Sequence, residues 1–392
     1  MFPRPRICAL ILATSLVPAC RNASSDGSSN GAPTLTPSTL GASGCVGPNQ
    51  VFTAPQAPVA VPLATLVPGA YSQLTAAQGA ELLYATGQDA TVVAIDVSGA
   101  SPVETELVGA GAVAFLLSLS GLSGTPELSG VAVLDATHLV LVEHDSNTLI
   151  TCDRTNVNTL GIYAGLPDET PGFADGLAAS ARFSFGAPTQ LATTNESEPS
   201  VLVADVGNHA LRLVSTQNGV SVVSTLAGTG TAGASNGSVA FAAFDTPCGV
   251  TLGCSQSVIL SERGDNGAGQ RLRSVTISGP NPFGGWFGSV ATVAGSGTQG
   301  TTEGPAASAE LDTPLSPLST SAGELYWIDA GTGVLRRKQA DGTCDCPLSV
   351  DCATAVTTPN FPAGHLYSLT QTSSGVLYVL DGTDGVLWRV TP

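Results

Sequence analysis

Short apolar runs alternate with short polar turns along most of this 392-residue chain. The runs are rich in Val, Leu, Ile, Tyr and Trp, which favour β-strands, and the turns hold Gly, Asn and Asp, which tolerate the positive φ of a tight hairpin. Six run–turn–run units are present, at residues 82–95, 138–150, 201–213, 257–275, 325–335 and 377–388. The pattern predicts six antiparallel hairpins.

A longer repeat surrounds three of these hairpins. It begins with an Ala-Gly pair at residues 164, 227 and 294, so successive copies start 63 and 67 residues apart. Each pair is followed by a Gly-rich segment, ending at Gly176, Gly237 or Gly304, and then by a short apolar segment. Such self-similarity predicts four-stranded antiparallel sheets that stack around an axis as the blades of a β-propeller.

The two ends of the repeat region predict how the ring closes. The sixth unit stops at Pro392 after its third strand, and residues 59–67 supply an apolar run before the first unit. We expect this run to complete the sixth blade, because closure removes exposed sheet edges. The predicted fold is therefore all-β, a six-bladed β-propeller of four-stranded antiparallel blades over residues 59–392, closed by its N-terminal strand.

Composition agrees with such a fold and excludes some partners. The 46 Gly and 26 Pro disfavour long helices. A net charge of −17 argues against nucleic acid or an anionic lipid surface as a main partner, since both are bound through basic patches. Acidity keeps a β-rich protein soluble, and it also accommodates a cation or a basic ligand.

The third unit, VLVADVGNHALRL at residues 201–213, resembles the NHL repeat. The segment at 172–183 resembles the loop that joins NHL blades in exported bacterial members of that family. The resemblance implies a β-propeller. Some NHL-type propellers resemble lyases that hold a metal with histidines in the channel, but the spacing of His138, His209 and His365 gives no reason for them to converge.

The first residues carry an export signal. A short basic segment precedes an apolar run too short to span a membrane, which predicts a signal peptide over residues 1–19. The letters LVPAC at 16–20 resemble the lipobox of bacterial lipoproteins, which implies lipidation of Cys20 and membrane contact through that anchor only. Ordinary secretory cleavage is the alternative. Arg21 in place of Asp favours the outer membrane, and residues 20–58, rich in Ser, Gly and Pro, predict a disordered tether.

Cysteine use suits an oxidising compartment. Cys248 and Cys254 are disulfide candidates within one hairpin, and Cys344, Cys346 and Cys352 form a second group of candidates. A zinc site is the alternative for that second group, but it lacks the C-x2-C pairs of such sites. The odd number of cysteines leaves at least one thiol free.

The polar turn at 205–209 permits two interpretations. Asp205 at a strand end accepts amides of the turn, and Asp329 and Asp381 repeat it in later units, which favours a structural role repeated in several blades. Alternatively, equivalent positions lie on one propeller face and form a partial ring that binds a cation or a basic group. The members of that candidate ring are Glu143, His144, Asp205, Glu262, Asp329 and Asp381.

An irregular insertion in the fourth unit carries three aromatic residues, Phe283, Trp286 and Phe287. Aromatic side chains in a Gly/Pro-rich loop are candidate contacts for a partner. The alternative is that they cover the edge of their own blade.

These features predict a monomeric, envelope-anchored lipoprotein that binds a protein, peptide or glycan on one propeller face. No catalytic residue is assigned, and neither a G-x-S-x-G nor an H-E-x-x-H motif is present. No cofactor is required by this interpretation. The alternative is a metal-dependent lyase or hydrolase of the envelope, with Ca²⁺ or Zn²⁺ in the propeller channel.

Overall fold

The computed structural model describes residues 59–65, 71–87, 89–156, 158–194, 198–217, 219–253, 257–280, 285–320, 323–348, 361–365 and 367–391. Several predicted features lie outside these residues, namely the signal peptide, Cys20, the tether, Cys254, Phe283 and Cys352. In the described chain, no helix has the length and apolar character needed to cross a bilayer.

The strands form six antiparallel sheets. The chain begins with β1 (Val59–Thr65), which belongs to the last sheet. Blade one consists of β2 (Tyr71–Ala76), β3 (Leu82–Gly87), β4 (Val92–Asp96) and β5 (Val103–Val108). Helix α1 (Ala110–Ser118) connects it to blade two, which consists of β6 (Leu128–Val133), β7 (His138–Glu143), β8 (Thr148–Asp153) and β9 (Leu160–Ala164).

The next three blades have five strands each. Blade three consists of β10 (Gly176–Leu177), β11 (Leu191–Thr193), β12 (Val201–Asp205), β13 (Ala210–Gln217) and β14 (Val220–Ala227). Blade four consists of β15 (Gly237–Ser238), β16 (Pro247–Gly253), β17 (Ser257–Glu262), β18 (Arg271–Pro280) and β19 (Trp286–Ala294). Blade five consists of β20 (Gly304–Pro305), β21 (Pro314–Ser319), β22 (Leu325–Asp329), β23 (Val334–Lys338) and β24 (Thr343–Asp345). Blade six consists of β25 (Tyr367–Gln371), β26 (Leu377–Asp381), β27 (Val386–Thr391) and β1.

The prediction of a six-bladed propeller is confirmed. Counted outward from the innermost strand of each sheet, as we count strands from here on, each predicted hairpin forms the second and third strands of one blade. The expectation of four strands in every blade is wrong for blades three, four and five. In these blades the segment that crosses from the preceding blade adds a two-residue strand to the outer edge. Gly176, Gly237 and Gly304 open these strands with φ of +126°, +115° and +115°, which disfavour any residue with a Cβ. The Gly-rich segments of the sequence therefore mark the crossovers.

The core consists of apolar clusters between neighbouring blades, because each blade buries both of its faces. Blades three and four share one cluster, and blades two and three share another. Helix α1 completes the cluster between blades one and two with Val113 and Leu117, while its Phe115 and the following Leu119 are exposed. A cluster containing Leu83 of blade one and Leu380 of blade six closes the ring.

The predicted closing strand is present. β1 pairs antiparallel with β27, from Val59 opposite Thr391 to Thr65 opposite Val386. It forms the outer strand of blade six, so the first and last strands of the propeller lie side by side. The described part of the strand ends at Thr65, and residues 66 and 67 of the predicted strand lie outside the described residues.

The cysteines correct one prediction. Cys248 carries a free, buried thiol that contacts the Ser261 and Pro314 carbonyl oxygens, each at 3.8 Å, so the expected bond with Cys254 is wrong. Cys344 also has a free, buried thiol, whereas Cys346 is disulfide-bonded. No disulfide joins two cysteines of the described residues.

Deleting β1 tests the closure directly. We expect a chain lacking residues 1–65 to lose about 5 kcal/mol of unfolding free energy, at roughly 1 kcal/mol for each net hydrogen bond of the lost ladder. The melting temperature should fall by roughly 10 °C. A chain lacking residues 1–58 keeps β1 and is the control. Equal melting temperatures for the two truncations, measured by calorimetry, would show that β1 does not hold the ring closed.

Candidate functional site

The predicted carboxylates do occupy equivalent positions. The second strand ends on the carboxylate in blades two to six, and the corresponding residue of blade one is Gly87. These carboxylates are Glu143, Asp205, Glu262, Asp329 and Asp381. All five side chains belong to residues that are at most 1% exposed. His144, the residue after Glu143, is partly exposed, and its Nδ1 lies 3.0 Å from a carboxylate oxygen of Asp145.

Three of the carboxylates are paired with buried arginines of the third strand. The distances between guanidinium nitrogen and carboxylate oxygen are 2.6 Å for Arg212 and Asp205, and 3.0 Å for the two pairs that follow. Those two pairs are Arg273 with Glu262 and Arg336 with Asp329. We call these three ion pairs the arginine clamps.

Each clamp also holds the crossover of its own blade. In blade three, Arg212 donates through Nη1 to the Arg182 carbonyl at 3.1 Å and through Nη2 to the Ala174 carbonyl at 2.9 Å. The side chain is flanked by the rings of Phe173 and Phe183, at 5.0 and 5.2 Å from the ring centroids. The other two clamps repeat these bonds to the carbonyl oxygens of Ala243, Ser235, Glu310 and Thr302.

Burial opposes ionisation of the clamp carboxyls. It raises the pKa of Asp205 to about 6 and the pKa values of Glu262 and Asp329 to about 7, while the paired guanidinium acts in the opposite direction. The predicted ring binds a cation or a basic group, and in blades three to five the basic group that faces each of these carboxylates is an arginine of the same blade. The three carboxylates are therefore not open to a cation from solvent. They are fully buried and their charge is matched inside the protein.

The rest of the turn at 205–209 is structural as well. Asn208 donates through Nδ2 to the Gly172 carbonyl at 2.7 Å and to Asp205 at 2.9 Å. His209 has a φ of +49°, and its Nδ1 accepts the amide of Thr246 at 3.1 Å. The turn thus connects blade three to the crossovers on both of its sides.

Blade six has no clamp. Trp388 occupies the register position of the clamp arginines, and Asp381 contacts His365 instead, with Nδ1 at 3.0 and 3.1 Å from the two carboxylate oxygens. Asp384 lies 3.8 Å from the same nitrogen. This contact of His365 could not be predicted from the sequence, because nothing in its loop indicates that it reaches the strand end sixteen residues later.

A second candidate site is the central channel. A cavity of about 160 Å³ lies between the inner strands, and all six blades contribute to its lining. Its polar residues are Thr75, Gln78, Gln190, Thr193, Thr251 and Thr370. The remaining lining residues are aliphatic. Among the described residues that line the cavity, none carries an imidazole, a carboxylate or a thiol, so they do not form a zinc site of the usual side-chain ligands.

Hydrogen bonds between neighbouring blades hold this lining in place. Thr193 Oγ1 donates to the carbonyl of Val133 at 2.8 Å, joining blade three to blade two. Gln190 Oε1 accepts the amide of Val250 at 3.0 Å, joining blade three to blade four. Ser368 Oγ accepts the amide of Leu74 at 2.9 Å and joins blade six to blade one. The wall of the cavity is therefore preorganised by bonds between the blades.

The aromatic insertion divides into a core residue and a surface residue. Trp286 is only 6% exposed and packs in the cluster between blades three and four, so its proposed role as a partner contact is wrong. Phe287, the next residue on the outer strand, is 50% exposed.

The ring of six sheets defines the protein as a six-bladed β-propeller. No family model matches the sequence, and no curated protein matches it. Solved structures share the fold. An auxiliary nutrient binding protein from Bacteroides ovatus has a TM-score of 0.54 at 11% identity, over 85% of this chain and 72% of that chain.

Two further structures give the same result. An auxiliary nutrient binding protein from Bacteroides thetaiotaomicron has a TM-score of 0.55 at 8% identity, over 88% of this chain and 78% of that chain. A gluconolactonase from Xanthomonas campestris has a TM-score of 0.51 at 12% identity, over 84% and 88% of the two chains. At such identities the similarity establishes the fold alone.

Replacing a clamp arginine tests the role of the clamps. Arg212→Met keeps most of the side-chain volume but removes the charge that faces Asp205. We expect a loss of about 3–5 kcal/mol in unfolding free energy, because the carboxylate stays buried without its partner. Arg182→Met is the matched control in the same crossover, since its ion pair with Asp168 is partly exposed and should contribute about 1 kcal/mol or less. Similar losses for both variants in urea denaturation would contradict this assignment.

Proposed function

We propose that this propeller is a binding module and that the central cavity is its ligand site. The observation that carries the proposal is the chemistry of the lining, in which threonine and glutamine residues of blades one, three, four and six lie among aliphatic residues. Such a mixture suits a neutral ligand that has both hydroxyl groups and apolar C–H faces. We therefore propose a neutral sugar, alone or as the end of a glycan.

Two properties of the cavity support a binding role. The wall is fixed by bonds between blades, such as that of Gln190 with Val250, so little ordering is needed when a ligand enters. The charged groups of the clamps lie away from the cavity. Each clamp carboxylate is at the end of a second strand, which pairs with the beginning of the inner strand, as Asp329 pairs with Pro314. The cavity is lined by later residues of the inner strands, such as Thr75 and Thr193. The neighbouring propellers described as nutrient binding proteins are consistent with this proposal.

The sequence features outside the described residues support a location for this function. We propose an exported, monomeric NHL-type propeller that is attached through Cys20 to the bacterial envelope and held away from the membrane by residues 21–58. A module in this position meets glycans and nutrients before they enter the cell.

Two threonines across the ring provide a test of the ligand site. Thr75 of blade one and Thr251 of blade four both line the cavity. Thr75→Val with Thr251→Val removes two hydroxyl groups while keeping the shape of the wall. We expect the affinity for the best neutral sugar from a glycan array to fall about tenfold, at roughly 0.5–1 kcal/mol for each lost hydrogen bond.

Titration calorimetry measures this change. The control is Thr276→Val, which alters an exposed threonine of β18 away from the cavity. The proposal fails if the wild-type chain binds no neutral sugar, or if the double variant binds it as tightly as the wild-type chain does.

A substitution at the predicted anchor tests the location. Cys20→Ala removes the thiol to which diacylglycerol would be attached, so we expect the protein to leave the membrane pellet and to lose incorporated palmitate in a bacterial host. Cys45→Ala, within the tether, should leave both properties unchanged. Membrane-bound, palmitate-labelled Cys20→Ala protein would exclude this anchor.

A further inference from the structure

Blade six brings together three potential metal ligands, two at the turn between β26 and β27 and one in the loop that precedes β25. They are Nδ1 of His365 and one carboxylate oxygen from each of Asp381 and Asp384, and all three atoms lie within 4.8 Å of one another. Asp381 is buried, whereas the side chains of His365 and Asp384 are 21% and 54% exposed. The group therefore has one fixed ligand at its base and an opening to solvent.

The orientation of the ligands is held by the surrounding chain. Oδ1 of Asp381 accepts the backbone amides of Thr383 at 3.0 Å and Asp384 at 3.1 Å, which fixes the carboxylate at the strand end. The imidazole of His365 stacks on the ring of Tyr367, with centroids 6.3 Å apart and an interplanar angle of 24°. Fixed ligands reduce the entropy that a site loses when it binds a metal.

Blade six differs from blades three, four and five in what faces the carboxylate at the end of its second strand. In blades three, four and five the carboxylate at this strand end faces a buried guanidinium group. Blade six has Trp388 at that register position and adds a second carboxylate, Asp384. Two acidic groups thus share one imidazole, and the positive charge found in the other blades is absent from the described residues around them.

We propose that His365, Asp381 and Asp384 bind a Zn²⁺ ion, which supplies in blade six the positive charge that the arginines supply in blades three to five. One imidazole and two carboxylates are a ligand set that Zn²⁺ accepts, and three protein ligands leave the fourth tetrahedral position to water or to a ligand. Ca²⁺ is disfavoured, because it requires six to eight oxygen ligands. This site is distinct from the central cavity.

Zinc binding to the purified, untagged full chain tests the proposal without any sugar. We expect the metal-depleted wild-type chain to bind one Zn²⁺ per molecule in titration calorimetry and to show no heat of binding with Ca²⁺. His365→Ala and Asp384→Asn should each weaken Zn²⁺ binding more than about 100-fold, beyond the loss typical of a group that only supports a ligand. Unchanged melting temperatures of the metal-free variants would show that these losses do not come from unfolding.

His144→Ala is the matched control, since His144 lies in the corresponding hairpin of blade two and its imidazole contacts the carboxylate of Asp145. It should retain the wild-type zinc affinity and stoichiometry. The proposal is overturned if the wild-type chain binds no stoichiometric Zn²⁺, if neither His365→Ala nor Asp384→Asn weakens binding, or if His144→Ala weakens it equally.

Discussion

A buried guanidinium group fixes each of three crossovers to its own blade, and the structure of blades three, four and five depends on this contact. It meets a carboxylate on one side and two crossover carbonyls on the other, as Arg212 does with Asp205. Stability alone does not require a buried ion pair, since apolar residues in its place often stabilise a fold equally well. Val93 of blade one and Ile150 of blade two occupy the register position that the clamp arginines occupy in blades three to five. The clamps occur in the blades whose outer edge carries the crossover strand β10, β15 or β20. Their role is therefore to set the position of the crossover, which in turn allows the fifth strand.

This arrangement separates charge from the channel. The clamps lie where the second strands end, and the cavity is lined further along the inner strands by uncharged residues. A buried ion pair in the channel wall would impose a strong local field on any ligand, whereas threonine and glutamine offer hydrogen bonds without that field. The same propeller can therefore hold buried charges for its architecture and present a neutral inner surface.

Strand positions, blade number and the closing strand all follow from the sequence, because a hairpin is a local structure and its repetition is visible along the chain. The function of the repeated carboxylates does not follow in the same way. Asp205 is a turn residue in sequence, but its burial depends on an arginine seven residues later and on a crossover whose Ser184 lies 21 residues earlier. The repeat did contain a signal for this, since Arg212 recurs as Arg273 and Arg336. Trp286 shows the converse. The sequence pattern predicts a loop at this residue, but it begins β19, and its burial comes from packing between blades three and four.

One strand-end position shows how a repeated structural charge becomes a site. Guanidinium groups balance it in blades three to five, while in blade two Glu143 is balanced by hydrogen bonds from Ser146 and from the amide of Glu127. In these four blades the carboxylate oxygens are paired with groups of the protein itself. In blade six the position faces His365, a weaker and more exposed partner, and Asp384 adds further negative charge. The repeat thus positions a buried carboxylate in every one of these blades, and the residue opposite determines whether its charge is satisfied within the fold or directed towards a ligand.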